Sequence, residues 1–169
     1  MARKYTGIAD GISPTNAART GLLAFVRQME RRSNGAFWNN GTFANRTKRG
    51  KDTMSVHATG RAVDLSYRKT STKGVPNGRK VASEWLDLLT IPSNAEALGI
   101  EMILDYWVAP FGRGWRCDRG TWENYKKPTI TGAPNGDWIH VELSPAVADS
   151  PQAIREAFKK MFPNDADME

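Results

Sequence analysis

The sequence predicts a single α+β domain in which helices flank a small, mainly antiparallel sheet. Two periodicities carry that expectation. Apolar residues recur at helical spacing in Leu22, Leu23, Phe25, Val26 and Met29, and again in Ile154, Phe158 and Met161. Ala62 to Tyr67 and Trp138 to Leu143 instead alternate as half-buried strands do. The 169 residues also hold no internal repeat, no low-complexity tract and no linker between two cores, so residues 1–169 read as one domain.

Pro14 and Thr15 supply start signals for a first helix, Thr15 to Arg32, which Asn34 and Gly35 end. From Trp38 to Thr53 the chain is rich in Asn, Gly, Thr and basic residues without periodicity, which predicts loop. The strand Ala62 to Tyr67 follows, then a polar loop from Lys69 to Gly78. A second helix, Arg79 to Leu89, places Val81, Trp85, Leu88 and Leu89 on one side. Pro92 and Ser93 open a short third helix to Leu98; Gly99 stops it and leads into a strand, Ile100 to Tyr106. Glycines and aromatics between Phe111 and Asn135 predict loops with a short strand or helical turn. After the strand Trp138 to Leu143, Ser150 and Pro151 start a last helix, Gln152 to Met161.

Composition narrows the function classes. Hydrophobic residues are 40% and charged residues 25%, as in ordinary globular chains. No apolar run approaches the roughly 20 residues that a membrane span needs. No apolar h-region follows Met1, so no secretory signal is read. Cys117 is the only cysteine, which excludes an internal disulfide and a cysteine-based zinc site; its expected role is a small, partly buried side chain. The net charge of +6 draws the chain toward polyanions without choosing among them. The dense basic clusters, Arg27 to Arg32 and Arg46 to Lys51, read individually as solvated faces, and no nucleic-acid motif accompanies them. Neither nucleic acid nor membrane is an expected partner, and the chain is expected to be a monomer.

Both histidines sit at the edges of predicted strands. His57 lies in Ser55-Val56-His57-Ala58-Thr59-Gly60-Arg61-Ala62-Val63-Asp64, and His140 in Gly136-Asp137-Trp138-Ile139-His140-Val141-Glu142. Catalytic zinc takes three nitrogen or oxygen ligands and keeps one position open, a count that two histidines and an aspartate meet. Gly60 allows a tight turn by which His57 folds back over the strand. Alternation puts Ala62, Asp64 and Ser66 on one face, and Trp138, His140 and Glu142 on one face of the later strand. If the two strands are neighbours, Asp64 and His140 converge on one ion. Asp137, on a turn after Gly136, is placed to shuttle a proton. Glu142, two residues on and on the same face, is expected as a partner of His140 or a structural acid rather than a ligand. Each residue also has a plainer role: hydrogen-bonded structural histidines, an aspartate paired to backbone or arginine, a turn acid.

Taken together, the two segments resemble a known family. Ser55-Val56-His57-Ala58-Thr59-Gly60-Arg61-Ala62-Val63-Asp64 matches the pattern Ser-x-His-x-x-Gly-x-Ala-x-Asp, and Asp137-Trp138-Ile139-His140 matches acid-x-x-His. These are signatures of zinc peptidases that include D-alanyl-D-alanine carboxypeptidases and phage L-alanyl-D-glutamate endolysins, whose Hedgehog/DD-peptidase fold is shared by the Hedgehog signalling domain. The resemblance, from about Gly41 to Leu143, implies zinc as cofactor, with His57, Asp64 and His140 as ligands and Asp137 as catalytic base. It further implies that Ser55 helps bind substrate carboxylate or orders the site, and that an upstream arginine, Arg46 in preference to Arg49, polarises the substrate carbonyl. Trp138, between two site residues, is expected on the cleft, whereas most other tryptophans are expected in core or cleft wall. The implied substrate is peptidoglycan stem peptide, cut at L-Ala–D-Glu or a cross-link, or trimmed of terminal D-Ala. A compact basic chain of this kind resembles a phage lysin made in the host cytoplasm and released to the wall by a holin, with anionic wall polymers as further partners. A non-catalytic, Hedgehog-like zinc domain is the alternative of another class.

Overall fold

A computed structural model describes residues 3–165 of the chain. Among them, six strands form one sheet: β1 (Trp38–Gly41), β2 (Ala62–Ser66), β3 (Ile100–Asp105), β4 (Arg113–Arg116), β5 (Thr121–Asn124) and β6 (Trp138–Leu143). Their order is β1-β2-β6-β3-β4-β5, and every neighbouring pair is antiparallel. The helices are α1 (Thr20–Arg32), α2 (Gly78–Leu89), α3 (Pro92–Ala97), α4 (Pro145–Ala148) and α5 (Pro151–Met161). All five contribute to a single core against one face of the sheet, where Val63, Leu65 and Tyr67 of the β2 segment meet Ile139, Val141 and Leu143 of β6. Alternation therefore turns Asp64 and His140 to the opposite face, which the helices leave open.

The predicted α+β class and the antiparallel sheet are present. Three local expectations are corrected. The first helix begins at Thr20, not Thr15. Asn16 takes a left-handed φ of 49°, and the segment before the helix docks on the turn at Gly60, with Arg19 N–H donating to the Gly60 carbonyl at 2.9 Å. Tertiary contacts thus override the start signal at Pro14 and Thr15. The predicted loop after Trp38 begins with an edge strand, because β2 offers Trp38–Gly41 a hydrogen-bonding partner that its Asn-rich sequence does not advertise. The segment from Phe111 holds two strands rather than one short element: β4 and β5 form a hairpin with Trp115 opposite Trp122. Helix α4 was also not expected, whereas α2, α3, α5, β2, β3 and β6 lie within one or two residues of their predicted bounds.

Two polar groups brace this frame. Arg61 is fully buried and donates to the carbonyls of Leu143 and Gly7, with its guanidinium 3.3 Å from Glu101. Asp105, also fully buried, accepts from Arg79 at 2.9 Å and Arg113 at 3.0 Å. A charge taken out of water at such a place needs partners, and removing one of them leaves the other uncompensated. Cys117 is buried, and burial pushes its thiol above the ordinary range, in keeping with the packing role expected of it. No helix among the described residues is long and apolar enough to cross a membrane.

Candidate metal centre

The centre is built where β2, β6 and a short 3-10 turn, Val56–Thr59, meet. Asp64 and His140 are register partners across β2 and β6. Cross-strand partners bring side chains within about 5 Å at Cβ, so the sheet alone delivers two of the three groups. The third, His57, comes from the 3-10 turn. Ser55 caps that turn, its hydroxyl accepting the His57 N–H at 3.3 Å, and Gly60 ends it with a left-handed φ of 74°. A Cβ at Gly60 would lie 2.6 Å from the Ala17 carbonyl oxygen, so both conformation and space require glycine.

One ligand atom from each of His57, Asp64 and His140 lies within 4.8 Å of the others. His57 Nε2 is 3.4 Å and His140 Nδ1 3.0 Å from the same oxygen, Oδ1 of Asp64. The far ring nitrogens are occupied. His57 Nδ1–H donates to the Thr42 carbonyl, and His140 Nε2–H donates to Glu142 Oε1 at 3.0 Å. A carbonyl can only accept, so the Thr42 contact places a proton on His57 Nδ1 and leaves Nε2 as the nitrogen turned toward Asp64. Each imidazole thus has one nitrogen anchored from behind and one turned inward, the arrangement by which outer partners orient metal-binding histidines. Both histidines are buried while Asp64 is partly exposed, so the cluster opens on its aspartate side. The three residues can hold a metal ion.

Without an ion, the same groups hold one another through charge and hydrogen bonds. Burial opposes charge on His140, but hydrogen bonds to Asp64 and Glu142 outweigh it and raise the imidazole to about 10. Burial would raise Asp64, yet the two histidines hold its carboxyl well below the usual carboxylate range. Glu142 is held down in the same way by His140 and by Tyr5, whose hydroxyl donates to Glu142 Oε2 at 2.8 Å. Burial, then the Glu142 charge, pushes the Tyr5 phenol far above its ordinary 10, which keeps it a donor.

The cluster lies at the floor of a cleft of about 670 Å³. Ser55, Trp138, Arg46 and Arg49 all line it, as do Lys48, Lys51 and Arg68. Trp138 packs on Tyr106, ring centroids 4.6 Å apart, and over Gly132, where a Cβ would lie 2.4 Å from the indole. Among the described residues the Arg46 side chain donates only to the neighbouring Thr47 carbonyl, at 3.1 Å, and the residue is exposed. Asp137 stands on the turn before β6, as expected, but is not among the cleft-lining residues. Its carboxylate is gripped by Arg68 through two hydrogen bonds of 2.6 and 2.8 Å.

Glu142 stands behind His140 as a hydrogen-bond partner, the first of the two non-ligand roles expected of it. Thr42, Tyr5 and Arg68 were missed. Thr42 acts through its backbone carbonyl, for which no side-chain pattern exists, and Tyr5 lies in an aperiodic N-terminal stretch. Arg68 did carry a signal, since alternation continues the face of Asp64 and Ser66 to residue 68. No protein-family model, curated protein or solved structure matches this chain.

Proposed function

We propose that this chain is a zinc metallopeptidase that hydrolyses peptide bonds in peptidoglycan stem peptides, as an endolysin-type endopeptidase. The observation that carries the reading is the pair of inward-facing imidazole nitrogens converging on Asp64 Oδ1, each backed by a partner on its far nitrogen. Two nitrogens and one carboxylate oxygen, with one open side, fit the donor set of catalytic zinc. When bound, zinc would supply Lewis-acid activation of water and of the scissile carbonyl.

The chain's own residues supply the rest. Asp137, which Arg68 holds outside the cleft lining, would have to turn toward the cleft to take the proton of the attacking water and return it to the leaving amine. Arg68 sets where that carboxylate points, and a substrate carboxylate entering the cleft would compete for its guanidinium. Arg46, without an acidic partner among the described residues, offers its guanidinium to the carbonyl oxygen as negative charge develops there. Ser55 and Trp138 border the path of the peptide. Arg46, Lys48, Arg49 and Lys51 form no ion pair with any described residue, and the carboxylates in the lining, Asp64 and Glu142, are already engaged by histidines. Such a wall suits an anionic peptide, which stem peptides with their free carboxylates are, and an anionic wall polymer beside it. It suits the free carboxylate of a terminal D-Ala equally, so a D-alanyl-D-alanine carboxypeptidase is the second reading.

Incubation of the zinc-loaded protein with purified cell wall, with and without a chelator, tests the proposal. New amino termini inside the stem peptide, lost on chelation and regained with zinc, are expected; release of free D-Ala instead selects the carboxypeptidase. Intact wall under every condition refutes both and leaves a non-catalytic zinc domain.

A further inference from the structure

The third group behind the metal centre comes from the opposite end of the chain from His140. Glu142 is a buried carboxylate with two tasks: Oε1 accepts the Nε2–H of His140 at 3.0 Å, and Oε2 accepts the Tyr5 hydroxyl at 2.8 Å. A carboxylate held by one oxygen alone can rotate about its last bond; held at both ends it cannot. Tyr5 is itself fixed. Arg116 stacks over its ring at 5.1 Å, and the next residue, Thr6, gives its hydroxyl and N–H to Glu101 at 2.6 and 3.2 Å. Arg3 donates to the Ala95 and Ile100 carbonyls, and Ser13 N–H to the Ala58 carbonyl at 2.8 Å, inside the turn that carries His57. The N-terminal segment is thereby laced to both histidine-bearing elements.

We propose that Tyr5 is a positioning residue of the metal centre: its hydroxyl locks Glu142, which fixes the ring of His140 with Nδ1 facing the ion. The inference rests on the reading of the cluster as a zinc site and adds the N-terminal segment to it. Outer partners of metal-binding histidines typically contribute 10- to 100-fold in affinity, and a group acting through such a partner belongs at the lower end, about tenfold.

The test is a zinc titration of the full chain against a chromophoric chelator, beside thermal unfolding of the metal-free protein. Tyr5→Phe keeps the ring beneath Arg116 and removes only the hydroxyl, so zinc binding should weaken about tenfold. In a Glu142→Gln background most of that loss should vanish, because Tyr5 acts through the carboxylate. Replacing Tyr5 with 4-aminophenylalanine, which restores a donor at the same place, should restore affinity and keeps the test open if the phenylalanine variant unfolds. Equal zinc affinity of Tyr5→Phe and wild type, an undiminished loss in the Glu142→Gln background, or no rescue by the amino analogue overturns the role of Tyr5 while the zinc site stands. Failure of the wild-type chain to bind zinc overturns the site itself, and the inference with it.

Discussion

Two glycines with the same backbone angle separate the cost of conformation from the cost of space, and only one of them touches the metal centre. Gly35, which ends α1, and Gly60, which ends the turn bearing His57, both have φ of 74°. A Cβ at Gly35 meets nothing within 4 Å, whereas at Gly60 it lies 2.6 Å from the Ala17 carbonyl oxygen and 3.2 Å from Arg19 Cγ and Ser13 Cβ. Gly35→Ala should therefore cost the left-handed penalty alone, about 1–2 kcal/mol. Gly60→Ala adds an overpacking cost of about 1–3 kcal/mol against backbone that is hydrogen-bonded in place, about 2–5 kcal/mol in all. Relief of the clash requires the turn to move by several tenths of an ångström. His57 lies three residues earlier in that turn, and metal ligands tolerate displacements of only about 0.2 Å. Denaturant unfolding and zinc titration of both variants check this. Gly60→Ala should lose more stability than Gly35→Ala and bind zinc at least tenfold more weakly, with Gly35→Ala binding as wild type. Equal stability losses, or unchanged zinc affinity in Gly60→Ala, would refute the claim that this turn sets the position of His57.

Asp137→Asn should leave zinc content intact and lower wall digestion by about 10²–10⁴-fold, the usual contribution of a general base; its stability should change by no more than about 1 kcal/mol, since the pair with Arg68 is exposed. Digestion at the wild-type rate would remove Asp137 from the mechanism. Replacing Arg46, Lys48, Arg49 and Lys51 together by Gln should weaken wall binding and flatten its salt dependence, measured by co-sedimentation across ionic strengths; an unchanged slope would place the attraction elsewhere. All four tyrosines are raised from their ordinary 10, chiefly by burial, Tyr67 to about 12. A neutral group whose folded pKa exceeds its unfolded one stabilises the fold fully below about pH 10, and that contribution is lost as pH rises through the folded value. Absorbance at 295 nm should accordingly stay flat through pH 10 and rise only as the protein unfolds in stronger alkali. A full tyrosinate transition near pH 10 with native circular dichroism would contradict the burial of these rings.

The sequence by itself determined which faces the chemistry would occupy. Alternation along β2 and β6 assigned Val63, Leu65, Ile139, Val141 and Leu143 to a core and Asp64, His140 and Glu142 to the other side, because the two-residue period of a strand is a property of local backbone geometry. Gly60 announced a turn for the same local reason. Only the tertiary structure decided that β2 and β6 are neighbours and that their register sets Asp64 opposite His140, since pairing is chosen by the packing of the whole core. It also recruited Asn-rich Trp38–Gly41 as an edge strand, moved the start of α1 to Thr20, gave Asp137 to Arg68 and brought the Thr42 carbonyl and Tyr5 hydroxyl to the rear of the centre. Those partners lie 15 to 137 residues from the groups they hold. Buried polar atoms take their hydrogen bonds from whatever the fold brings within about 3 Å, a selection made in three dimensions that leaves no period along the chain.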